Sequence, residues 1–350
     1  MGNTASDKGT AIISRLKRIQ KDSHAQDLYK LVDLQGGGEL LSWMKYAQTS
    51  GDQSFLEGYF EMKVQKFLYN GGKGRLLPVA ELVKVRNKER NAMLGALRRK
   101  KGKGKSGPNI LEDLNQDENQ GDLVKALKVL DGGGKGGATS KYREVCWDVA
   151  QRGAMGETLL HICLLQGSPT HTALAKKLIM HYPKLVHDVF LSEDYYGFTP
   201  LHQAIVNEDP HVVLFLLQNG ADVHQRCYGA FFCPEDQKDS RSDSLEHEWV
   251  DVNQKSDYRG ETYYGEYPLS FAACIQDEDC VRLLRARKAD PNMRDTNGNT
   301  VLHLMVIHEH EEMFNLLYKL GAKLQIPNNQ NLTPLTLAAK LAKKEASHNC

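Results

Sequence analysis

The 350-residue chain has no long apolar stretch: its longest, Val212–Leu217, is six residues, against the roughly 18 to 20 that a membrane-spanning helix needs. No span is expected. The N-terminus lacks the apolar core of a secretory signal, so the sequence reads as cytosolic, and its seven cysteines read as thiols rather than disulfides. Catalytic signatures are missing as well. There is no Gly-x-Ser-x-Gly elbow, no His-Glu-x-x-His pair and no EF-hand loop. A phosphate loop fails at both Gly/Lys stretches. Arg99 stands where a leading glycine must precede Gly104-Lys105-Ser106, and Gly136 follows Lys135 where a hydroxyl is required. These absences argue against an enzyme, a small-molecule substrate and a bound cofactor. The formal net charge of +1 gives no global case for nucleic acid.

What is present is a repeated phrase. It occurs as Thr158-Leu159-Leu160-His161, Thr199-Pro200-Leu201-His202, Tyr267-Pro268-Leu269-Ser270, Thr300-Val301-Leu302-His303 and Thr333-Pro334-Leu335-Thr336, with spacings of 41, 68, 33 and 33 residues. A second phrase runs in phase: Asn219-Gly220-Ala221-Asp222-Val223, Lys288-Ala289-Asp290-Pro291-Asn292 and Leu320-Gly321-Ala322-Lys323-Leu324. A period of about 33 residues with a turn, a short helix, a second apolar helix and a closing turn is the ankyrin pattern. The fold expected is an all-α ankyrin-repeat solenoid, a surface for binding without a ready-made catalytic pocket. The longer spacings leave extra loop at 191–196 and a finger at 225–261, both expected to project outward. His161, His202 and His303 recur at one position, so each is read as a structural hydrogen bond tying neighbouring turns. Cys163 and Cys274 are read as buried thiols. Cys227 and Cys233, with His224 nearby, have ligand types for zinc but lack a tight Cys-x-x-Cys pair.

Residues 1–140 read differently, as a partly helical, partly flexible region preceding the ankyrin-repeat domain at 141–350. Helical periodicity appears at Ala11–Ile19, Asp27–Leu34, Glu39–Tyr46 and Phe55–Leu68, broken by glycines at 36–38 and 71–72. The stretch Arg86–Lys105 carries nine Lys or Arg against one acid, Glu89. It reads as a solvated arm or as a site for calmodulin or anionic lipid. Nucleic acid is disfavoured, because no aromatic residue is interleaved for stacking. Residues 132–137 read as a glycine linker. Met1-Gly2-Asn3-Thr4-Ala5-Ser6 fits the acceptor pattern for myristoylation at Gly2, and Lys8, Arg15, Lys17, Arg18 and Lys21 could supply the second membrane signal that one acyl chain needs. A chance match with charges that solvate a helix is the alternative.

Beyond the generic repeat, the run Tyr264–Cys274, the run Gly298–His303 and the run Asn331–Lys340 closely resemble the cytosolic ankyrin domain of TRPV cation channels. Leu28–Leu34, Val64–Asn70 and Phe231–Lys238 look most like the invertebrate, Nanchung-like branch. The resemblance covers most of residues 25 to 343. It implies a subunit of a calcium-permeable tetrameric channel at the cytoplasmic face of the plasma membrane, with six ankyrin repeats, the first degenerate, and fingers that touch the neighbouring subunit. Carried over, Tyr228, Phe231 and Phe232 are candidate partner contacts, with packing of the finger on its own repeats as the alternative. Some vertebrate members bind ATP through lysines of the second repeat; the matching positions are Glu157 and Ile162, which argues against ATP here. Family members continue into six membrane spans, whereas Leu341–Glu345 here runs into Ala346–Cys350. The expectation is a last repeat that is half a repeat, fraying beyond about residue 330, and no pore. Such a chain would act by binding full-length subunits; an independent soluble ankyrin adaptor is the other reading.

Overall fold

The structure is a computed structural model and describes residues 27–33, 36–87, 142–244, 246–253, 255–258 and 263–348, with side chains to 342. Gly2, the basic residues 88–105 and the linker at 132–137 lie outside the described residues.

The ankyrin stack is built from helix pairs: α5 (Leu159–Gln166) with α6 (Pro169–His181), α7 (Pro200–Val206) with α8 (Pro210–Gln218), α9 (Pro268–Cys274) with α10 (Glu278–Ala286) and α11 (Val301–Ile307) with α12 (Glu311–Lys319). Helix α13 (Pro334–His348) follows. The first helices of the pairs stack in order, α5 on α7 on α9 on α11 on α13. Helices α5, α7, α9 and α11 are buried nearly all round, so each depends on its neighbours, whereas α13 buries Leu337 and leaves Leu335 exposed.

The repeated phrase starts these helices for a specific reason. The first residue and the fourth cap each other: Thr199 N–H donates to His202 Nδ1 at 3.3 Å while His202 N–H donates to Thr199 Oγ1 at 3.2 Å. Thr158 with His161 and Thr300 with His303 repeat the exchange, and Tyr267 N–H finds Ser270 Oγ at 3.0 Å. Orphaned amide groups at the helix start are satisfied reciprocally. The histidines also carry the tie expected of them at one place, where His303 Nε2 bonds the Leu332 carbonyl of the next repeat at 2.9 Å. Their rings are neutral, because burial lowers the pKa of His202 to about 3 and that of His161 well below its usual value. The second phrase ends the repeats in left-handed backbone at Gly220 (φ 90°), Gly321 (φ 98°) and, without a glycine, Lys288 (φ 67°).

Ahead of the repeats lie α1 (Asp27–Leu31), α2 (Glu39–Ser50) and α3 (Ser54–Tyr59), then a π-turn Phe60–Val64 and 3₁₀ turns to Gly72. Strand β1 (Arg75–Pro78) leads into a helix, α4, at residues 79–87. This segment packs on the stack. Helix α2 lies on α6, and β1 pairs antiparallel with β2 (Tyr142–Val145), Leu77 opposite Arg143. The seam is polar as well as apolar. Phe67 stacks on Trp147 at 5.2 Å between ring centres, and Tyr29 Oη donates to the buried Glu157 carboxylate at 2.5 Å. Asp188 accepts from the backbone N–H of both Cys146 and Trp147 at 3.0 Å and pairs with Arg152 at 3.1 Å, all of it buried. Leu28, Phe60, Trp147, Leu160 and Leu201 belong to one continuous apolar core.

The two long insertions fold back, contrary to the expectation that they project. Leu191, Tyr195 and Tyr196 are buried and residues 192–194 half-buried, and the first part of the finger lies along them. Tyr228 N–H and Gly229 N–H both donate to the Tyr196 carbonyl, at 2.7 and 3.0 Å, and Phe231 N–H donates to that of Asp194 at 3.0 Å. Glycine makes the approach possible: a Cβ on Gly229 would stand 2.1 Å from the Asp194 carbonyl oxygen. Among the described finger residues, the largely exposed aromatic is Trp249, in the outer part between β3 (Ser242–Asp243) and β4 (Val250–Asp251).

A charged groove at the finger base as the candidate functional site

A groove of about 840 Å³ opens where β2, the turns after α8 and α10, and the finger base meet. Three arginines line it. Arg143 projects from β2 and grips both carboxylate oxygens of Glu248 at 2.8 and 2.9 Å, a bidentate bond that ties the finger to the strand. Arg226 pairs with Glu266 and donates to Thr296 Oγ1 at 2.8 Å. Its guanidinium lies over the rings of Tyr228 and Tyr267, 4.8 and 5.9 Å from their centres. Arg294 bonds the Gly298 carbonyl at 3.2 Å and Asn329 Oδ1 at 3.0 Å. Burial works against the charges on Arg143 and Arg226, but Glu248 and Glu266 more than reverse it, so both guanidinium pKa values are raised.

These pairings decide what the groove can do. Its cations are matched internally by carboxylates and carbonyls, so it does not present a bare positive surface for a polyanion. Among the described residues beside it, no nucleophile is activated. Cys227 Sγ lies 3.3 Å from His202 Nε2, yet burial drives the thiol pKa up and the imidazole pKa down, so the pair stays neutral. His224 Nε2 instead accepts from Asp290 N–H at 3.0 Å, and among the described residues no group of three or more metal-ligating side chains occurs. What remains is a shaped, partly aromatic, charge-neutralised surface suited to recognition.

Of the candidate contacts, Tyr228 and Phe232 are buried and Phe231 is half-buried. Phe232 stacks on Phe198 at 5.7 Å, Phe231 packs on Tyr195 at 5.0 Å, and Tyr228 lies under Arg226. The finger aromatics thus pack on their own repeats, and of the three Phe231 keeps the most open surface. Arg86 departs from the solvated arm it was assigned to: it is 1% exposed, donates to the Ser244 carbonyl at 2.5 Å and lies over the Tyr196 ring. Cys163 and Cys274 are buried, as expected. Glu157, at an ATP-lysine position of the resembling family, is a buried carboxyl with its pKa raised by burial.

The groove arginines escaped the sequence reading, although a signal was there. Arg226 and Arg294 each follow the aspartate of the closing phrase, Asp222 and Asp290, by four residues. Arg143 had no such marker, because its partner Glu248 is 105 residues away.

Comparison with known proteins accords with this architecture. A family model for ankyrin repeats matches residues 116–227 and 246–347, more than half of the chain. Subfamily V member 5 of the transient receptor potential cation channels from Rattus norvegicus is 38% identical over 201 residues, covering 55% of this chain and 24% of the relative. Member 6 from the same organism is 38% identical over 203 residues, covering 55% and 23%. Member 4 from Homo sapiens is 32% identical over 179 residues, covering 46% and 18%. The chain therefore spans about a quarter or less of the length of these relatives. Among the described residues no helix is long and apolar enough to cross a membrane. With stacked helix pairs, reciprocal caps and this match in agreement, the chain belongs to the ankyrin-repeat family and is homologous over about half its length to TRPV cation channels.

Proposed function

We propose that the chain is the cytosolic ankyrin module of a TRPV-type, calcium-permeable cation channel subunit of the invertebrate, Nanchung-like branch, and that it acts at the cytoplasmic face of the plasma membrane by binding protein. The observation that carries this reading is the 38% identity to TRPV members over 201 residues, joined to a groove whose charges are internally matched. Its partners on this reading are full-length TRPV subunits, engaged by the finger. Phe231 and the 51% exposed Trp249 offer aromatic anchoring area at the finger's surface, with Tyr228 and Phe232 shaping the finger from below. Gly2 acylation and the basic residues 88–105 would add contacts to anionic lipid or calmodulin.

Expressed with a full-length TRPV subunit, the chain should change that subunit's surface level or current at least twofold. Unchanged current and surface level, with no co-precipitation, would favour the independent ankyrin adaptor.

A further inference from the structure

Helices α2 and α3 form an antiparallel hairpin with two unlike faces. One buries Leu40, Leu41, Met44, Ala47 and Leu56 toward the core. The other gathers four rings: Trp43 lies 6.1 Å from Phe55, 6.0 Å from Tyr46 and 5.9 Å from Tyr59. Tyr46 is 47% exposed, Phe55 54% and the neighbouring Met62 70%. Among the described residues, three of the nine exposed large hydrophobics fall in this one patch. A single exposed apolar side chain needs no explanation, whereas a contiguous aromatic face of this kind marks a docking surface.

Three observations identify the occupant. The first is position. Asp27, where the described chain begins, lies 3.9 Å from Lys66, one turn beyond Met62, and Lys63 sits over the Tyr59 ring at 5.9 Å. Asp27, the described point to which residues 11–21 are tethered, therefore stands at the rim of the patch. The second is pattern. Ile12, Leu16 and Ile19, with Ile13, recur at the spacing of one helix face, and the seven residues 20–26 can bridge at most roughly 25 Å, enough to return over a patch whose rings lie about 6 Å apart. The third is charge. Residues 39–62 carry Glu39, Asp52, Glu57 and Glu61 against Lys45 alone, while residues 8–21 carry Lys8, Arg15, Lys17, Arg18 and Lys21 with no acid.

We propose that the aromatic face of α2 and α3 is the docking surface for this chain's own residues 11–21, held by Ile12, Leu16 and Ile19 on the rings and by basic residues on the flanking carboxylates. The same apolar side chains would otherwise be available to a lipid surface, so docking and membrane contact exclude each other.

The test uses the full chain. A benzophenone amino acid replacing Met62 should crosslink, within monomers, to residues 11–21. Phe55→Glu combined with Met62→Glu should speed amide exchange of those residues at least tenfold. Ile12→Ser with Leu16→Ser and Ile19→Ser should remove the crosslink while helix content persists. Crosslinks between chains would assign the patch to a second copy. Protection of residues 11–21 that appears only with phosphatidylserine vesicles would assign the segment to the membrane. Unprotected residues 11–21 with no crosslink would leave the face without this occupant. Each of these three results overturns the proposal.

Discussion

The repeats and the elements attached to them are held by different means. Within the repeats each helix start is fixed by partners three residues apart, as in Thr300 with His303, and the same device recurs every 33 residues in the last three repeats. The segment 27–87 and the finger are fixed by partners far away in sequence: Tyr29 to Glu157, Arg143 to Glu248, Arg86 to Ser244. Local, repeated bonds tolerate the loss of one member, since each repeat supplies its own. Distant single bonds do not, because burial leaves the abandoned partner without solvent. Mutations should therefore damage the attached elements and can improve the repeats.

The sharpest break is at Asp188. Asp188→Ala removes the acceptor for two backbone N–H groups and strands the buried Arg152; removing one member of a buried ion pair costs about 3 to 5 kcal/mol. Chemical denaturation should show that loss, and early exposure of Trp147, which Asp188 anchors, should accompany it. Next comes Gly229→Ala. The added methyl meets the Asp194 carbonyl, and overpacking of this kind costs about 2 to 3 kcal/mol. Faster proteolysis within 225–261, with α11 to α13 still protected, is the expected readout.

Two substitutions should act in the opposite direction. Asp295 accepts from Asn297 and Asn299 N–H, and burial raises its pKa to about 7. The folded state thus favours the protonated acid: its contribution is full below the unfolded value near 4 and is lost as pH rises toward 7. One repeat later Asn328 makes the equivalent bonds to Gln330 and Leu332 N–H without a charge. Asp295→Asn should gain about 1 to 2 kcal/mol at pH 8 and flatten the stability profile between pH 4 and 7; an unchanged profile would remove Asp295 as its source. Smallest is Lys288→Gly, which relieves left-handed backbone where the neighbouring repeats have Gly220 and Gly321. A gain of about 0.5 to 1 kcal/mol is expected from thermal unfolding.

The same contrast explains what was legible in the sequence. The repeated opening phrases and closing turns are periodic, and the insertion lengths are what exceeds the period, so the repeats could be read from the sequence. The helices at 27–31, 39–50 and 54–59 also showed in their apolar spacing. How the insertions would lie did not show, because loop length says nothing about the carbonyls of Asp194 and Tyr196 that Gly229 approaches. Composition assigned Arg86 to a solvated run of basic residues; only its place against Ser244 and Tyr196 reveals a buried cation. The groove is intermediate, with Arg226 and Arg294 marked by periodicity and Glu248 fixed by tertiary pairing alone.

The central claim is that this ankyrin module binds a TRPV-type subunit through its finger. The direct measurement is retention of a detergent-solubilised full-length TRPV subunit on the immobilised chain, compared with Phe231→Ala combined with Trp249→Ala. The account predicts retention by the native chain and a loss of at least fivefold in the double variant. Retention no greater than on an unrelated ankyrin stack, or equal retention by both forms, would contradict it.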